Sequence, residues 1–258
     1  MCGRLKSGEY AVRGDVSSQF ITGLLFALPL LDGDSRLEVN GAFESASYID
    51  LTMEVLAAFG IVVERRENTF YIRGGQTYAS ADYTVEGDCS NAAFLDAFNL
   101  LGGDVKVQSL SAKTAQGDRV YMDFYRRLAA GERQFDLSDC PDLGPVMMAL
   151  AAVKGGAVFT GSARLRLKES DRGVAMAREL AKCGIAVTVE ENTIIVSEGA
   201  LQTPTEPFNG HNDHRIVMAL SLISSLVGGS IDGAQAVAKS FPDYFDVLRS
   251  LGVEVIVE

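Results

Sequence analysis

Two short segments concentrate groups able to grip an anion and to move a proton. In "RLKESDRG", residues 166–173, Lys168 and Arg172 are four apart, so on a helical turn they face the same way. Like charges so placed destabilise a helix by roughly 0.2–0.5 kcal/mol. Ser170 or Asp171 can cap a helix, but neither accounts for the cation pair. An anion held between the two cations would. Glu169 lies between them in sequence, as a proton donor or as their counter-ion. In "GHNDHRIVMALSL", residues 210–222, both histidines of the chain, His211 and His214, are packed with Asn212, Asp213 and Arg215 directly ahead of an apolar run. Three readings stand: a capping and packing cluster, a metal pair, or an anion site made by Arg215 with the helix N-terminus. No neighbouring acidic pair or cysteine completes a metal set, so no metal is expected.

Further candidates sit at other helix starts. Ser17, Ser18 and Gln19 put two hydroxyls and an amide where one group would suffice for a cap, which points to phosphate or hydroxyl binding. Asp88, Ser90 and Asn91 read as ordinary N-capping. Lys239, in "AKSFPDYFD", reads alone as a solvated loop lysine.

These residues recur at the same place in a repeated pattern: a turn residue, an Asp, a short polar stretch, then a mostly apolar helix. The four copies carry Asp15, Asp88, Asp142 and Asp213. A second, amphipathic helix follows each and closes at Gly60, Gly131, Gly184 and Gly252, in step with the aspartates. "IAVTVE" and "VEVIVE" alternate as half-buried strands do. The first helix of each copy is apolar nearly all round and is expected to be buried on every side; the second is expected to face water. The expected fold class is α/β (α+β), an inside-out barrel of repeated βαβαββ units in two domains, residues 1–85 and 86–258. The first domain would hold one repeat and the second three. The polar, glycine-rich stretch at residues 74–87 marks the boundary.

The totals narrow the function classes. With 258 residues, 47% of them hydrophobic, the chain can bury a sizeable core and does not read as disordered. A net charge of −11 argues against nucleic acid as a partner, but a small anionic ligand responds to the field of its own site. Cys2, Cys89, Cys140 and Cys183 form no CxxC pair and read as reduced thiols of a cytoplasmic protein. The longest apolar run, residues 20–31, is too short to span a bilayer, and no apolar signal segment opens the chain. A membrane partner is therefore not expected.

Taken in order, "GDVSSQF", "SYIDLT", "VEGDCS", "PDLGPV", "LRLKESDR", "HNDHRIVMA" and "KSFPDYF" resemble the 5-enolpyruvylshikimate-3-phosphate (EPSP) synthase family over essentially the whole chain. Each motif is weak alone; their order makes the resemblance specific. It implies transfer of the enolpyruvyl (carboxyvinyl) group of phosphoenolpyruvate to the 5-hydroxyl of shikimate 3-phosphate, with release of phosphate, in aromatic amino acid biosynthesis. It implies that Ser17, Ser18, Gln19, Ser45 and Tyr48 hold shikimate 3-phosphate, and that Asp142 is the catalytic aspartate beside its 5-hydroxyl. Lys168 would be catalytic as well, contacting that substrate and the carboxylate pair, and Glu169 would move the proton at the phosphoenolpyruvate methylene. Arg172, Arg215 and Lys239 would grip phosphoenolpyruvate. Arg164 stands where some members carry an Asn that contacts shikimate. No metal or organic cofactor is implied, and glyphosate is expected to compete with phosphoenolpyruvate. Family members also carry a substantial segment ahead of these motifs, which nothing here matches. The expected partners beyond the substrates are thus a separate N-terminal segment, or a second copy joined through exposed sheet edges. The alternative reading is a non-catalytic fragment that folds or binds ligand without turnover.

Overall fold

A computed structural model of the chain describes residues 4–15, 17–41, 43 and 46–256. They divide into two compact units, Met1–Glu86 with Lys113–Gly117, and Gly87–Ala112 with Asp118–Glu258. Among the described residues no helix is long and apolar enough to cross a membrane.

The first unit is a single βαβαββ motif. Strands β1 (Glu9–Arg13) and β2 (Ser35–Asn40) pair in parallel, which requires a crossover, and helix α1 (Ser18–Ala27) supplies it. Helix α2 (Ala46–Ala58) leads to β3 (Val63–Arg66) and β4 (Thr69–Ile72), an antiparallel pair, giving the order β1-β2-β4-β3. The period-2 alternation of β2 and β4 sends Leu37, Val39, Phe70 and Ile72 to one face. Ile21, Leu25, Ile49 and Leu56 pack onto that face. Here α1 departs from the expectation of burial on all sides: Phe20 and Phe26 are exposed. A helix lying on one face of a single sheet has only one stripe to bury, whatever its composition.

The second unit repeats the same topology. Strands β5 (Gln134–Asp136) and β6 (Ala157–Thr160) are parallel across helix α5 (Gly144–Lys154). Helix α6 (Arg172–Lys182) then leads to the β7 (Val187–Val189) and β8 (Thr193–Val196) hairpin, in the order β5-β6-β8-β7. A shorter pass follows: β9 (Phe208–Asn209) and β10 (Ile231–Asp232), parallel across helix α7 (His214–Val227), then helix α8 (Tyr244–Ser250). Helices α3 (Cys89–Leu100) and α4 (Tyr121–Ala129) stand in the fourth copy, where no strand is assigned among the described residues. The strand expected at "VEVIVE" is also absent: residues 253–256 are irregular, and 257–258 lie outside the described residues. An alternating sequence becomes a strand only where another edge takes its backbone groups, and no ladder includes it here.

In this unit α5 and α7 do bury nearly every face. They pack on each other and on α3 and α6, so Val146–Ala151 and Ile216–Ile223 have almost no exposed surface. The buried bundle fixes where the N-termini of α3, α6 and α7 and the turn ahead of α5 meet. Cys89, Cys140 and Cys183 are buried and in no disulfide; Cys2 lies outside the described residues.

Candidate active site

The polar cluster of the second unit is built around Arg172, the first residue of α6 and 1% exposed at its side chain. Asp171 caps that helix by accepting from the Val174 N–H. Lys168 therefore lies outside the helix, in the extended segment after the 3-10 turn Ala163–Leu167, and is not the helical partner of Arg172 that the spacing suggested. An anion nonetheless sits between the two cations. It is the carboxylate of Asp142, whose Oδ1 is 3.0 Å from Lys168 Nζ and 2.7 Å from Arg172 Nη1.

Asp142 lies in the 3-10 turn Pro141–Leu143 that feeds α5. Arg172 also donates to Glu169 Oε2 at 2.8 Å and to the fully buried Asp213 Oδ2 at 2.9 Å, so one guanidinium joins three carboxylates. Burial alone would raise the Asp142 pKa; Lys168, Arg172 and Arg215 outweigh it and hold the carboxyl well below the usual range. Asp213 is likewise pulled down against its burial by the Arg172 hydrogen bond.

Arg215 comes from the first turn of α7, whose N-cap is Asp213 accepting from the Arg215 N–H at 2.9 Å. Its guanidinium lies over the Phe94 ring, donates to Asn91 Oδ1 at 2.8 Å, and approaches Asp142 Oδ2 at 3.7 Å. Asn91 in turn donates to the Ser240 carbonyl at 3.2 Å. The neighbouring Lys239, last residue of the 3-10 turn Ala234–Lys239, is exposed as its sequence suggests, and it also donates to the Asn212 carbonyl. Asp142, Lys168, Glu169, Arg172 and Arg215 thus form one cluster, and the Lys239 segment is tied to two of its elements.

Two features mark this cluster as a place for an anion. Three cations, Lys168, Arg172 and Arg215, converge on the single carboxylate of Asp142. Arg215 Nε and His214 Nδ1 are also buried with no hydrogen-bond partner among the described residues. Orphaned buried polar groups are costly and call for an explanation, which a bound anion would supply here for Arg215. A metal fits less well. Glu169, Asp213 and His214 could reach one ion, but Arg172 already donates to both carboxylates and supplies the positive charge there. His211 points elsewhere, to Glu179 Oε1 at 2.7 Å, so the two histidines do not converge.

The remaining sequence candidates lie in the first unit. Ser17 is the N-cap of α1 and accepts from the Gln19 N–H at 3.2 Å, with Ser18 the first helical residue. Tyr48 lies in the first turn of α2. The Thr22 and Thr52 hydroxyls meet at 3.0 Å, and Ser18 and Tyr48 are one turn earlier on their respective helices. Both helices follow parallel strands, so the two residues share one end of the pair. Ser45 lies outside the described residues. Arg164 is buried in the 3-10 turn ahead of Lys168.

Sequence reasoning passed over two members of the cluster. Asn91 was read as a cap, but Asp88 does that work, accepting from the Ser90 N–H at 2.8 Å and leaving the amide for Arg215. The signal was a surplus of capping residues at one helix start. Asp213 is legible in the sequence as a repeated turn aspartate and as part of the polar cluster ahead of α7, but not as the buried partner of Arg172, because that contact is long-range.

Comparison with known proteins adds the following. The family model described as EPSP synthase (3-phosphoshikimate 1-carboxyvinyltransferase) matches residues 2–248. The 3-phosphoshikimate 1-carboxyvinyltransferase of Clostridium kluyveri is 41% identical, over 98% of this chain and 64% of that protein. The same-named protein of Clostridium acetobutylicum is 38% identical, over 98% and 63%. The chain therefore spans a little under two thirds of the length of these curated relatives. Among solved structures, EPSP synthase from Acinetobacter baumannii superposes with a TM-score of 0.76 at 24% identity, covering 99% of this chain and 64% of that one. The enolpyruvyl transferase NikO from Streptomyces tendae gives 0.67 at 16% identity, over 95% and 64%. At these identities the two structures speak to the fold, which they share with this α/β chain.

Proposed function

Because the chain belongs to the EPSP synthase family, we propose that it takes part in enolpyruvyl transfer from phosphoenolpyruvate to the 5-hydroxyl of shikimate 3-phosphate. In this reading the second unit carries the phosphoenolpyruvate side. Ser17, Ser18, Gln19, Ser45 and Tyr48 of the first unit serve shikimate 3-phosphate. The observation that carries the reading is the convergence of three cations on Asp142, with buried nitrogens of Arg215 and His214 that have no hydrogen-bond partner among the described residues.

The chemistry fits the residue types. The hydroxyl oxygen attacks C2 of phosphoenolpyruvate while C3, the methylene carbon, takes a proton. Glu169, 40% exposed at its side chain and hydrogen-bonded to Arg172, is the group assigned to that proton. Asp142 takes the hydroxyl proton. The tetrahedral adduct then expels phosphate and loses a proton from the former methylene, restoring the carbon–carbon double bond. Arg172, Arg215, Lys168 and Lys239 neutralise phosphate and carboxylate, with arginine suited to bidentate contact with either. Acid, base and cation suffice for this addition and elimination, so no metal or organic cofactor enters the reading. A cytoplasmic location belongs to it as well, supported by the buried thiols.

Calorimetric titration of the chain with phosphoenolpyruvate tests the reading. Arg215→Met, which keeps the length of the side chain over Phe94, should weaken binding by about tenfold or more. Equal affinity of the two proteins would count against the site.

A further inference from the structure

Glu179 is a buried carboxylate that the proposed mechanism does not use. It is 2% exposed and faces the segment leading into α7. Its Oε2 accepts from the Asn209 N–H at 2.9 Å, and its Oε1 is 2.7 Å from His211 Nε2. Lys182, one turn on, lies 2.8 Å from the same carboxylate and donates to the Pro207 carbonyl at 2.7 Å. Burial would raise the Glu179 pKa, but the hydrogen bonds from Lys182, Asn209 and His211 pull it below the ordinary value.

The gripped segment is strained. His211 and Asn212 both adopt left-handed backbone, with φ of 49° and 52°. That conformation costs an L-residue roughly 1–2 kcal/mol, and asparagine tolerates it better than histidine. The double turn has two outputs. It presents Asp213 to Arg172, and it presents the Asn212 carbonyl to Lys239. Arg172 and Glu179 are seven residues apart on α6, hence on one face and about 10 Å apart along the axis. Helix α6 therefore holds the segment at two points: Arg172 at Asp213, and Glu179 at Asn209 and His211.

We propose that Glu179 is a positioning residue. It holds the left-handed turn at His211–Asn212, and through that turn it sets Asp213 under Arg172 and the carbonyl that seats Lys239. For its effect on phosphoenolpyruvate, the inference rests on the proposed function. Its structural half does not.

Glu179→Gln is the test, because it is isosteric and keeps one acceptor where the site needs two. The chain has only two histidines, so its imidazole NMR signals are few. In ligand-free protein the His214 ring resonances should move. Amide exchange at Asn212–Arg215 should speed up by about tenfold or more, while signals of the β5–β8 sheet stay in place. A Glu179 that contributed only to global stability would shift the unfolding midpoint and leave the folded His214 signals where they were; that result overturns the proposal. If Glu179→Gln does not fold, His211→Gln, which removes only the ring contact, should show the same displacement of His214, and its absence there overturns the proposal equally. A second arm measures affinity. Phosphoenolpyruvate should bind about tenfold more weakly to Glu179→Gln, and inorganic phosphate should follow it. Wild-type chain that binds neither would sink the functional reading, while the ligand-free spectra would still decide the role of Glu179.

Discussion

At the scale of single residues, Asp142 is at once the proposed base and the internal counter-ion of Lys168, Arg172 and Arg215. A carboxylate held so far below its usual range is a weak base. It becomes a better one when an incoming phosphate or carboxylate takes over some of those cations. Asp142→Asn should accordingly have opposite effects on chemistry and binding. Removing one partner of a largely buried ion cluster should cost about 3 kcal/mol of stability. The same change should tighten inorganic phosphate binding, because the cations are released. Calorimetry with phosphate checks this, and weaker binding by the variant would refute it. The sequence hinted at the arrangement through the Lys168 and Arg172 pair, which called for an anion between them. It did not reveal that the anion is part of the chain, because Asp142 reaches the pair only through the packing of α5 on α6.

At the scale of elements, the loop from β6 to Lys168 depends on Gly161. Its φ is +66°, and a Cβ there would lie 2.6 Å from the Ser138 backbone nitrogen and 2.4 Å from Asp136 Oδ1. Neither the conformation nor the space admits a side chain. Gly161→Ala should therefore cost about 3 kcal/mol, lowering the melting midpoint by roughly 6–12 °C. An unchanged midpoint in a thermal melt would contradict this. Helices were well legible at this scale, since α5, α6 and α7 follow apolar and amphipathic periods that need no distant partner to be recognised. Strands were less so. "IAVTVE" contains β7 because β8 lies beside it, whereas "VEVIVE" alternates as well and its described residues, 253–256, pair with no edge. The full burial expected of α1 failed for a related reason. Composition describes what a helix can bury, and the neighbours decide what it does bury. Phe20 and Phe26 face away from the one sheet that α1 covers.

At the scale of the whole molecule, the βαβαββ motif is the organising repeat, once in the first unit and once complete in the second. Its placement of helix N-termini explains why polar chemistry recurs at the same point of each copy. It also gives stability a pH signature. Burial, reinforced by the Arg215 charge, holds His214 below its ordinary value of 6.5. As the pH falls through about 6.5, the unfolded chain takes up a proton that the folded chain declines. Stability should then drop until the lower folded value is passed. The depressed carboxyls Asp142 and Asp213 act in the same direction, but only nearer the ordinary carboxylate range of about 4. Urea unfolding between pH 7.5 and 5 should show the slope attributable to His214, and His214→Asn should flatten it. A slope unaffected by that substitution would place its origin elsewhere.

The most direct test of the proposed reaction is phosphate release by the purified chain supplied with shikimate 3-phosphate and phosphoenolpyruvate, with Asp142→Asn beside it. The account predicts release that needs both substrates and disappears in the variant. A folded chain that releases no phosphate, or releases it equally well without Asp142, would contradict it.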